Sequence, residues 1–343
     1  MVLLLATSCL RAEPVDSAVS GTTDISTAIS RGLHWIETHP ATLQDGGLID
    51  LIDEGVAFYL FQHLARQPDE RRHYATALQH HMVSLDALPE FSQWVRQPRK
   101  RLLDHYHLVL AAWLMQRAGQ PSALQADIVL QAQYALVTTS SPFPSIPLTI
   151  AVFLGYLGES PAISMENLLD TSLIERIADG NSPVLYNGSP VSPQQQRISR
   201  LQVYALIHEI IALTDFGHLA PTPWLAERRD AVVGFLGRAI EVARAEGNID
   251  LLAEIIGSLF FLEVPPDATI QTLLRELVKH QLPDGCWGNL PLDRQNKQRH
   301  AVLTATAALW SYGHVDPVPS PGRQGDPGQR GNQQHQPFRS AIQ

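Results

Sequence analysis

Apolar residues recur at helical spacing through most of this chain, and this pattern constrains the fold more than any other feature. Leu, Ile, Val and Ala return every three or four residues, whereas the alternation typical of strands is almost absent. Glycine and proline stand where the helical segments stop. Twelve segments show the pattern: residues 23–39, 50–66, 70–84, 101–118, 122–136, 146–157, 164–178, 198–214, 223–245, 248–263, 267–281 and 300–312. The sequence therefore predicts an all-α protein.

The helical pattern occupies residues 23–314, which we interpret as a single domain. Residues 1–22 are interpreted as a flexible leader. Their short apolar run has no Lys or Arg before it, which leaves open whether it is a degenerate export signal. Residues 315–343 are rich in Pro, Gly and Gln, and we expect them to be disordered because they cannot bury enough apolar surface.

Composition narrows the classes of partner. The chain has 343 residues, is 45% hydrophobic and carries a formal charge of −9, with no basic block of the kind that binds nucleic acid. No apolar stretch approaches the ~20 residues of a membrane span. Two cysteines, Cys9 and Cys286, favour a reducing compartment. We expect a cytoplasmic protein whose partner is a small molecule or a peptide; the oligomeric state is left open.

Two parts of the chain repeat one another. The helical segment 28–39 leads to an Asp-Gly turn at 45–46, and the segment 273–280 leads to an Asp-Gly turn at 284–285. Each turn is followed by a second apolar helix. Twelve helices in about six such hairpins predict an α/α toroid, also called an α/α barrel. An α-solenoid or an irregular bundle is the alternative.

A family resemblance supports the toroid. The segment QLPDGCWG at 281–288, followed by RHAVLTATAALW at 299–310, resembles the repeat turn of the α/α-toroid superfamily, which includes terpene cyclases and protein prenyltransferase β subunits. The resemblance implies that Gln281 and Trp287 tie one helix to the next. The segment 208–217 (HEIIALTDFG) is similar to an uncharacterised bacterial helical family, which implies no activity.

The same resemblance suggests a zinc site. Prenyltransferases hold zinc with an Asp, a Cys two residues later and a distant His, an order that Asp284, Cys286 and His300 match, although His300 is closer in sequence. Three protein ligands would leave one open position on the metal. Alternatively, Asp284 forms only a turn and Cys286 is a small core residue. The acidic motifs DxDD and DDxxD of terpene cyclases are absent from the sequence.

Polar residues gather where the predicted inner helices begin. If outer and inner helices alternate, the inner set is 50–66, 101–118, 146–157, 198–214, 248–263 and 300–312. Buried polar groups are costly unless they are paired, so their presence predicts a hydrogen-bonded network or a functional site. These residues are Asp53, Glu54, Asp104, His105, His107, His208, Glu209, Asp250, Glu254 and His300.

His208 and Asp215 are the leading catalytic candidates. They are seven residues apart, so they share a face if the helix continues, and Glu209 adds a second carboxylate. His218 follows the turn and is a further candidate metal ligand. The alternative is that the helix ends at Gly217 and that His208 is a core histidine whose hydrogen bonds are satisfied.

His105 is a fourth catalytic candidate, because it lies on the same stripe of its helix as neighbouring residues of the predicted inner face. The alternative is that the polar residues stabilise the start of the helix, where the charge of Asp104 lies beside the positive end of the helix dipole.

These observations favour a soluble enzyme of specialised metabolism that acts on an apolar or peptide-like small substrate in a central cavity. The activity is expected to be transferase- or lyase-like and metal-dependent, with zinc as the first choice of divalent metal. A non-catalytic toroid that binds a ligand or a protein is the alternative. Glycoside hydrolysis uses a pair of carboxylates, and Glu54, Glu209 and Glu254 could supply one. A glycoside-processing barrel is therefore a minor alternative.

Overall fold

The computed structural model describes residues 21–44, 47–97, 101–141, 145–185, 192–288, 290 and 297–313. Helices account for most of these residues, and the extended pairing among them is one isolated bridge between Gln281 and Trp287. The helices within the described residues are α1 (Gly21–Thr38), α2 (Gly47–Leu64), α3 (Pro68–Asp86), α4 (Pro89–Arg96), α5 (Leu102–Arg117), α6 (Gln125–Thr138), α7 (Ser145–Tyr156), α8 (Met165–Asp170), α9 (Leu173–Ala178), α10 (Pro193–Leu213), α11 (Pro223–Glu246), α12 (Ile249–Phe261), α13 (Ala268–Lys279) and α14 (Gln298–Gly313). The prediction of an all-α protein is confirmed. The predicted tail and all but the end of the predicted leader lie outside the described residues.

One predicted helix is two helices in the structure. The segment 164–178 breaks at Ser172, whose side chain accepts a hydrogen bond from the backbone N–H of Glu175 at 3.0 Å and so caps α9. The carboxylate of Glu209 accepts from the next two backbone N–H groups, those of Leu173 and Ile174. A new helix start is therefore stabilised inside a segment whose apolar spacing looks continuous.

Two further boundaries differ from the prediction. The short helix α4 was not predicted; Pro89 occupies its first turn, and Phe91 and Val95 bury one face. Helix α10 begins five residues earlier than the predicted start at 198, because Ser192 and Gln195 form a capping box around Pro193.

Six helices contact one another in a cyclic order. Helix α2 packs on α5, α5 on α7, α7 on α10, α10 on α12, α12 on α14, and α14 returns to α2. Helices α5, α7, α12 and α14 are buried on nearly every side, as expected of helices with neighbours all round. This set is the one that the sequence predicted as inner.

The other long helices pack against this set. Helix α1 contacts α14 and α13, α3 contacts α2 and α5, α6 contacts α5 and α7, and α11 contacts α10 and α12. They leave more of their surfaces exposed, with large apolar side chains on the buried face. None of the described helices combines the length and the apolar content that crossing a membrane requires.

The turn after α13 joins the two ends of the described chain. Gln281 donates its side-chain amide to the carbonyl oxygens of Ala28 on α1 and Gly285 in the turn, at 2.9 and 3.1 Å. Trp287 is fully buried and donates its indole N–H to the carbonyl of Leu277 at 2.9 Å. The family resemblance implies that these side chains tie one helix to the next; in the structure they hold the turn to α13 and to α1, and neither of these hydrogen bonds reaches α14.

Gly285 is expected to be intolerant of any side chain. Its φ is +94°, and an added Cβ would lie 2.3 Å from the backbone oxygen of Arg31 on α1. Gly158 has a similar φ of +87° but open space around it. We predict that Gly158→Ala lowers the free energy of unfolding by about 1 kcal/mol and Gly285→Ala by roughly 2–4 kcal/mol, since a clash adds to the backbone strain. Urea unfolding followed by circular dichroism measures both; equal losses would contradict the close packing of the turn on α1.

Candidate functional site

Two carboxylates and an imidazole converge where α12 and α14 begin. His300 Nδ1 lies 2.7 Å from Asp250 Oδ1, and His300 Nε2 lies 3.5 Å from Glu254 Oε1. One potential ligand atom from each of the three residues falls within 4.8 Å of the other two. We call Asp250, Glu254 and His300 the His300 cluster. Asp250 and Glu254 share a face because they are four residues apart on α12.

The imidazole of this cluster is held as a cation. Burial lowers the pKa of His300, but the charge and hydrogen bond of Asp250, with smaller effects of Asp53 and Glu254, raise the pKa to about 10. The ring is therefore protonated at neutral pH and donates to Asp250. Its side chain remains 24% exposed, whereas the Asp250 side chain is fully buried.

Neighbouring helices fix the position of Asp250. Tyr204 on α10 donates its hydroxyl to Asp250 Oδ2 at 2.9 Å, and Thr304 on α14 donates to Oδ1 at 3.2 Å. Asn248 caps α12 with its side-chain oxygen and donates its amide to the Tyr204 hydroxyl. Donors from α10 and α14 thus satisfy a buried carboxylate, which would otherwise destabilise the fold by several kcal/mol.

Helices α2, α5 and α10 bring further polar and aromatic groups to the cluster. The ring of Tyr106 on α5 stacks on the ring of His208 on α10, with centroids 5.6 Å apart and planes 22° apart. Asp53 on α2 acts electrostatically on both Tyr106 and His300. Five of the six helices in the cyclic set therefore contribute side chains to one region.

The predicted zinc ligands Asp284 and Cys286 do not join His300 in this region. Asp284 is exposed and accepts the backbone N–H of Cys286 at 3.0 Å, so it shapes the turn. Cys286 is buried, with its sulfur in contact with the side-chain amide of Gln298. A surface cleft of about 680 Å³ lies beside Asp284 and the α1 residues Arg31 and His34, and its lining includes no residue of the His300 cluster.

Glu209, a predicted catalytic residue, is bound to backbone instead. Its fully buried carboxylate accepts the N–H groups of Leu173 and Ile174 at 3.0 and 3.1 Å, at the start of α9. Burial raises the pKa of Glu209 to about 7, and the two backbone hydrogen bonds oppose this shift. Although Glu209 follows His208 in sequence, its side chain binds the backbone at the start of α9, whereas the His208 ring stacks on Tyr106.

Asp215 lies in a second cluster, where α2, α5 and α10 end. Helix α10 ends at Leu213, and Asp215 has a φ of 48°, so the seven-residue spacing from His208 does not define a shared helix face. The buried Asp215 carboxylate accepts from Arg117 Nη2 at 2.6 Å and from the Tyr59 hydroxyl at 3.1 Å. These two donors occupy both of its oxygens.

The last two predicted site residues are His218 and His105. The His218 ring meets the His63 ring edge to face, with centroids 4.2 Å apart, near Asp215 and away from the His300 cluster. His105 is buried on the first turn of α5. Of the eight predicted site residues, the structure thus brings His208 and His300 to the same region.

Sequence reasoning missed the partners of these two histidines. The sequence places Asp250 and Glu254 among the polar residues at the start of an apolar helix and offers Glu254 as one of a carboxylate pair, but it does not join either residue to His300. Tyr106, Tyr204 and Thr304 carry no signal of their own, because a tyrosine or threonine on an apolar helix is ordinary.

Comparison with protein families places the chain in one of them. A family model described as a domain of unknown function (DUF6895) matches residues 51–312, from α2 to α14. The chain belongs to this family. A search of curated proteins gives no match.

The matched region contains every residue of the His300 cluster, together with Asp53, Tyr106 and His208. Helix α1, which packs on the closing turn, precedes it. The candidate site is therefore carried by the part of the chain that defines the family.

Glu209 gives a pH-dependent test of its structural role. Its carboxyl binds protons more tightly in the folded chain, with a pKa near 7 against an ordinary value of 4.5. Its stabilising contribution is therefore fully present below pH 4.5 and is lost as pH rises through 7, by at most about 3 kcal/mol. We predict that Glu209→Gln flattens this dependence, whereas Glu90→Gln, on an exposed side chain, leaves it unchanged. Urea unfolding at several pH values measures the slope, and an unchanged slope in Glu209→Gln would refute the assignment.

Proposed function

We propose that this protein is an α/α-toroid enzyme that uses the His300 cluster to bind a divalent metal, zinc being the first choice, and acts on a small organic substrate. The proposed activity is transferase- or lyase-like. Its place in specialised metabolism and its cytoplasmic location are part of the proposal and depend on the family resemblance and on cysteine usage.

Two observations support the toroid. Six helices contact one another in a cyclic order, as the inner helices of a toroid would, and the other long helices pack against them: α2, α5, α7, α10, α12 and α14. The closing turn binds α1 through Gln281, which joins the last hairpin to the first. Both features are expected of a toroid and not of an open solenoid, whose ends do not meet.

The observation that carries the enzymatic proposal is the convergence of Asp250, Glu254 and His300. Groups of both charges are drawn together from two helices whose other buried residues are mostly apolar. Active sites concentrate such groups because their pKa values and positions can be tuned by burial and by neighbours. Fold alone does not assign a reaction, so the proposal depends on the site.

The donor set suits zinc. Zinc binds imidazole nitrogen and carboxylate oxygen at about 2.0–2.2 Å, and three protein ligands leave a position for water or substrate. The Asp250–His300 distance of 2.7 Å is that of a hydrogen bond, so the pair must lose the shared proton and separate by on the order of half an ångström. A bound zinc ion would polarise a substrate carbonyl or activate a water molecule.

The protein's own residues would position the reacting groups. Asp250 is fixed by Tyr204 and Thr304 and would hold the His300 ring in one orientation. His208 is half-buried, and its ring, stacked on the buried ring of Tyr106, would give an apolar or peptide-like substrate an aromatic group to pack on.

The glycoside-processing alternative is less well supported. Glu54 accepts the backbone N–H of Ala41 at 3.0 Å and lies near Arg299 and His81, while Glu209 caps α9. Both carboxylates serve the fold, so they do not form a pair with Glu254.

Zinc titration of the full-length protein tests the proposal. After treatment with a chelator, the wild type is expected to bind one zinc ion and to gain about 2.7 kcal/mol of stability at a hundredfold excess over Kd. Glu254→Gln should weaken zinc binding at least tenfold, because a ligand is removed. Cys286→Ser is the control and should bind zinc like the wild type.

Calorimetry and elemental analysis give the affinity and the stoichiometry. Loss of zinc in Cys286→Ser, with binding preserved in Glu254→Gln, would instead support the set of Asp284, Cys286 and His300. If the wild type binds none of zinc, manganese and iron, the metal-dependent enzyme is refuted and the non-catalytic binding toroid becomes the better proposal.

A further inference from the structure

Helix α6 exposes a stripe of large apolar side chains. Leu130, Tyr134 and Val137 are 70%, 69% and 59% exposed. Because they are spaced by four and three residues, they lie on one face of the helix. We call these three residues the α6 stripe. The other exposed large apolar side chains of the described residues lie on separate elements: Val83, Leu103, Val184, Ile198 and Leu219.

The α6 stripe carries no charge. Asp127 is the one charged residue of α6, and the sequence has no other before Glu159. The other helices that flank the cyclic set expose charged side chains, such as Arg72 on α3, Arg238 on α11 and Lys279 on α13. The cores of protein interfaces are depleted of charged residues and enriched in tyrosine. The outer face of α6 therefore has the composition of an interface.

Contacts within the chain hold both flanks of α6. On one flank, Gln131 donates its side-chain amide to the carbonyl oxygen of Val95 at 2.7 Å. On the other, Gln133 donates to the carbonyl oxygen of Ser160 and accepts the backbone N–H of Ala162, both at 2.6 Å. The stripe between them is thus presented on a helix that is already fixed, so a partner that binds it loses little free energy to ordering.

The charge of the whole chain favours a second copy as the occupant of this face. Each copy carries a formal charge of −9, so two copies repel one another least where their contacting surfaces are uncharged. A lipid surface suits the stripe less well. Helices that lie on membranes carry Lys and Arg beside their apolar face, and α6 has neither.

A two-fold axis beside Tyr134 would pair the stripe with itself. In an antiparallel pair of α6 helices, Leu130 of each copy lies opposite Val137 of the other, and the two Tyr134 rings lie near the axis. The two Asp127 residues are then about 20 Å apart at a rise of about 1.5 Å per residue, well beyond the Debye length of about 8 Å. A parallel pair would instead bring these two carboxylates together.

We infer that this protein forms a two-fold symmetric homodimer in which the α6 helices of the two copies pack antiparallel through the α6 stripe. The three side chains expose roughly 400 Å² per copy, about half of the ~800 Å² that each partner buries in a standard interface. We therefore expect a Kd on the order of micromolar. The inference is independent of the proposed function, since α6 contributes no residue to the His300 cluster.

Sedimentation velocity of the full-length protein tests the dimer. Between about 0.5 and about 200 µM, a range that brackets a micromolar Kd, the wild type is expected to change from monomer to dimer. Tyr134→Lys places like charges beside the axis and should weaken dimerisation at least about tenfold. Val83→Lys makes the same kind of change at an exposed apolar position of α3 and should leave dimerisation unchanged. Both variants should give the circular dichroism spectrum of the wild type, because both side chains are exposed.

A pair of charges tests the antiparallel register. Leu130→Lys and Val137→Glu should each weaken the dimer. Combined in one chain, they should bind at least about fivefold more tightly than either single variant, because opposite charges then face each other across the axis. A double variant that dimerises no better than the single variants would overturn the antiparallel pairing.

A wild type that stays monomeric over the whole range would overturn the inference, as would a dimer that Tyr134→Lys leaves unchanged. Flotation with phosphatidylcholine vesicles is measured on the same proteins. Vesicle binding by a monomeric wild type that is lost in Tyr134→Lys would identify a lipid surface as the occupant instead. If circular dichroism shows that Tyr134→Lys is unfolded, the concentration dependence of the wild type and the comparison of Leu130→Lys with the double variant decide the question.

Discussion

Helix α14 is the element on which the rest of the arrangement depends. It contacts α2, α12, α1 and α13, so it joins the end of the domain to its beginning. The turn before it is held by Gln281 and by the buried Trp287. Because α14 is held against α12 in this way, His300 reaches Asp250, fifty residues earlier in the chain. Closure of the helical set and assembly of the candidate site are therefore consequences of the same packing.

The all-α class was predictable because its determinants are local. Helical spacing, proline and glycine stops, and the turn at 281–288 depend on residues near one another in sequence, and they identified the buried set of helices. The differences arose where a distant side chain intervenes. Glu209 lies on α10, and its carboxylate stabilises the start of α9. Nothing in the sequence around Leu173 indicates that contact.

The site was only partly predictable, because its residues meet through packing. The sequence predicts His300 as a metal ligand, but together with Asp284 and Cys286, which are near it in sequence. Parallel packing of α12 and α14 supplies Asp250 and Glu254 instead. The interpretation of His208 with Asp215 assumed a continuous helix, and the left-handed backbone at Asp215 breaks that assumption. What could be inferred was that polar residues interrupting apolar helices would gather near the helix starts.

The two polar regions of the domain differ in how their charges are satisfied. Where α2, α5 and α10 end, the Asp215 carboxylate is compensated by Arg117 and Tyr59, so the protein itself completes that region. Where the helices begin, Asp50 and Asp250 lie in first turns, and the positive ends of the helix dipoles favour their charges.

Asp53 and Glu254 lie beyond the first turns of α2 and α12, where the influence of the dipole has faded. His300 on α14 lies within 3.5 Å of Glu254 and supplies one positive charge to this group of carboxylates. Burial of a carboxylate is costly, and a bound cation would offset part of that cost. The carboxylates that gather with His300 at the helix starts are therefore the physical reason to seek a cationic ligand there, as the proposed metal site does.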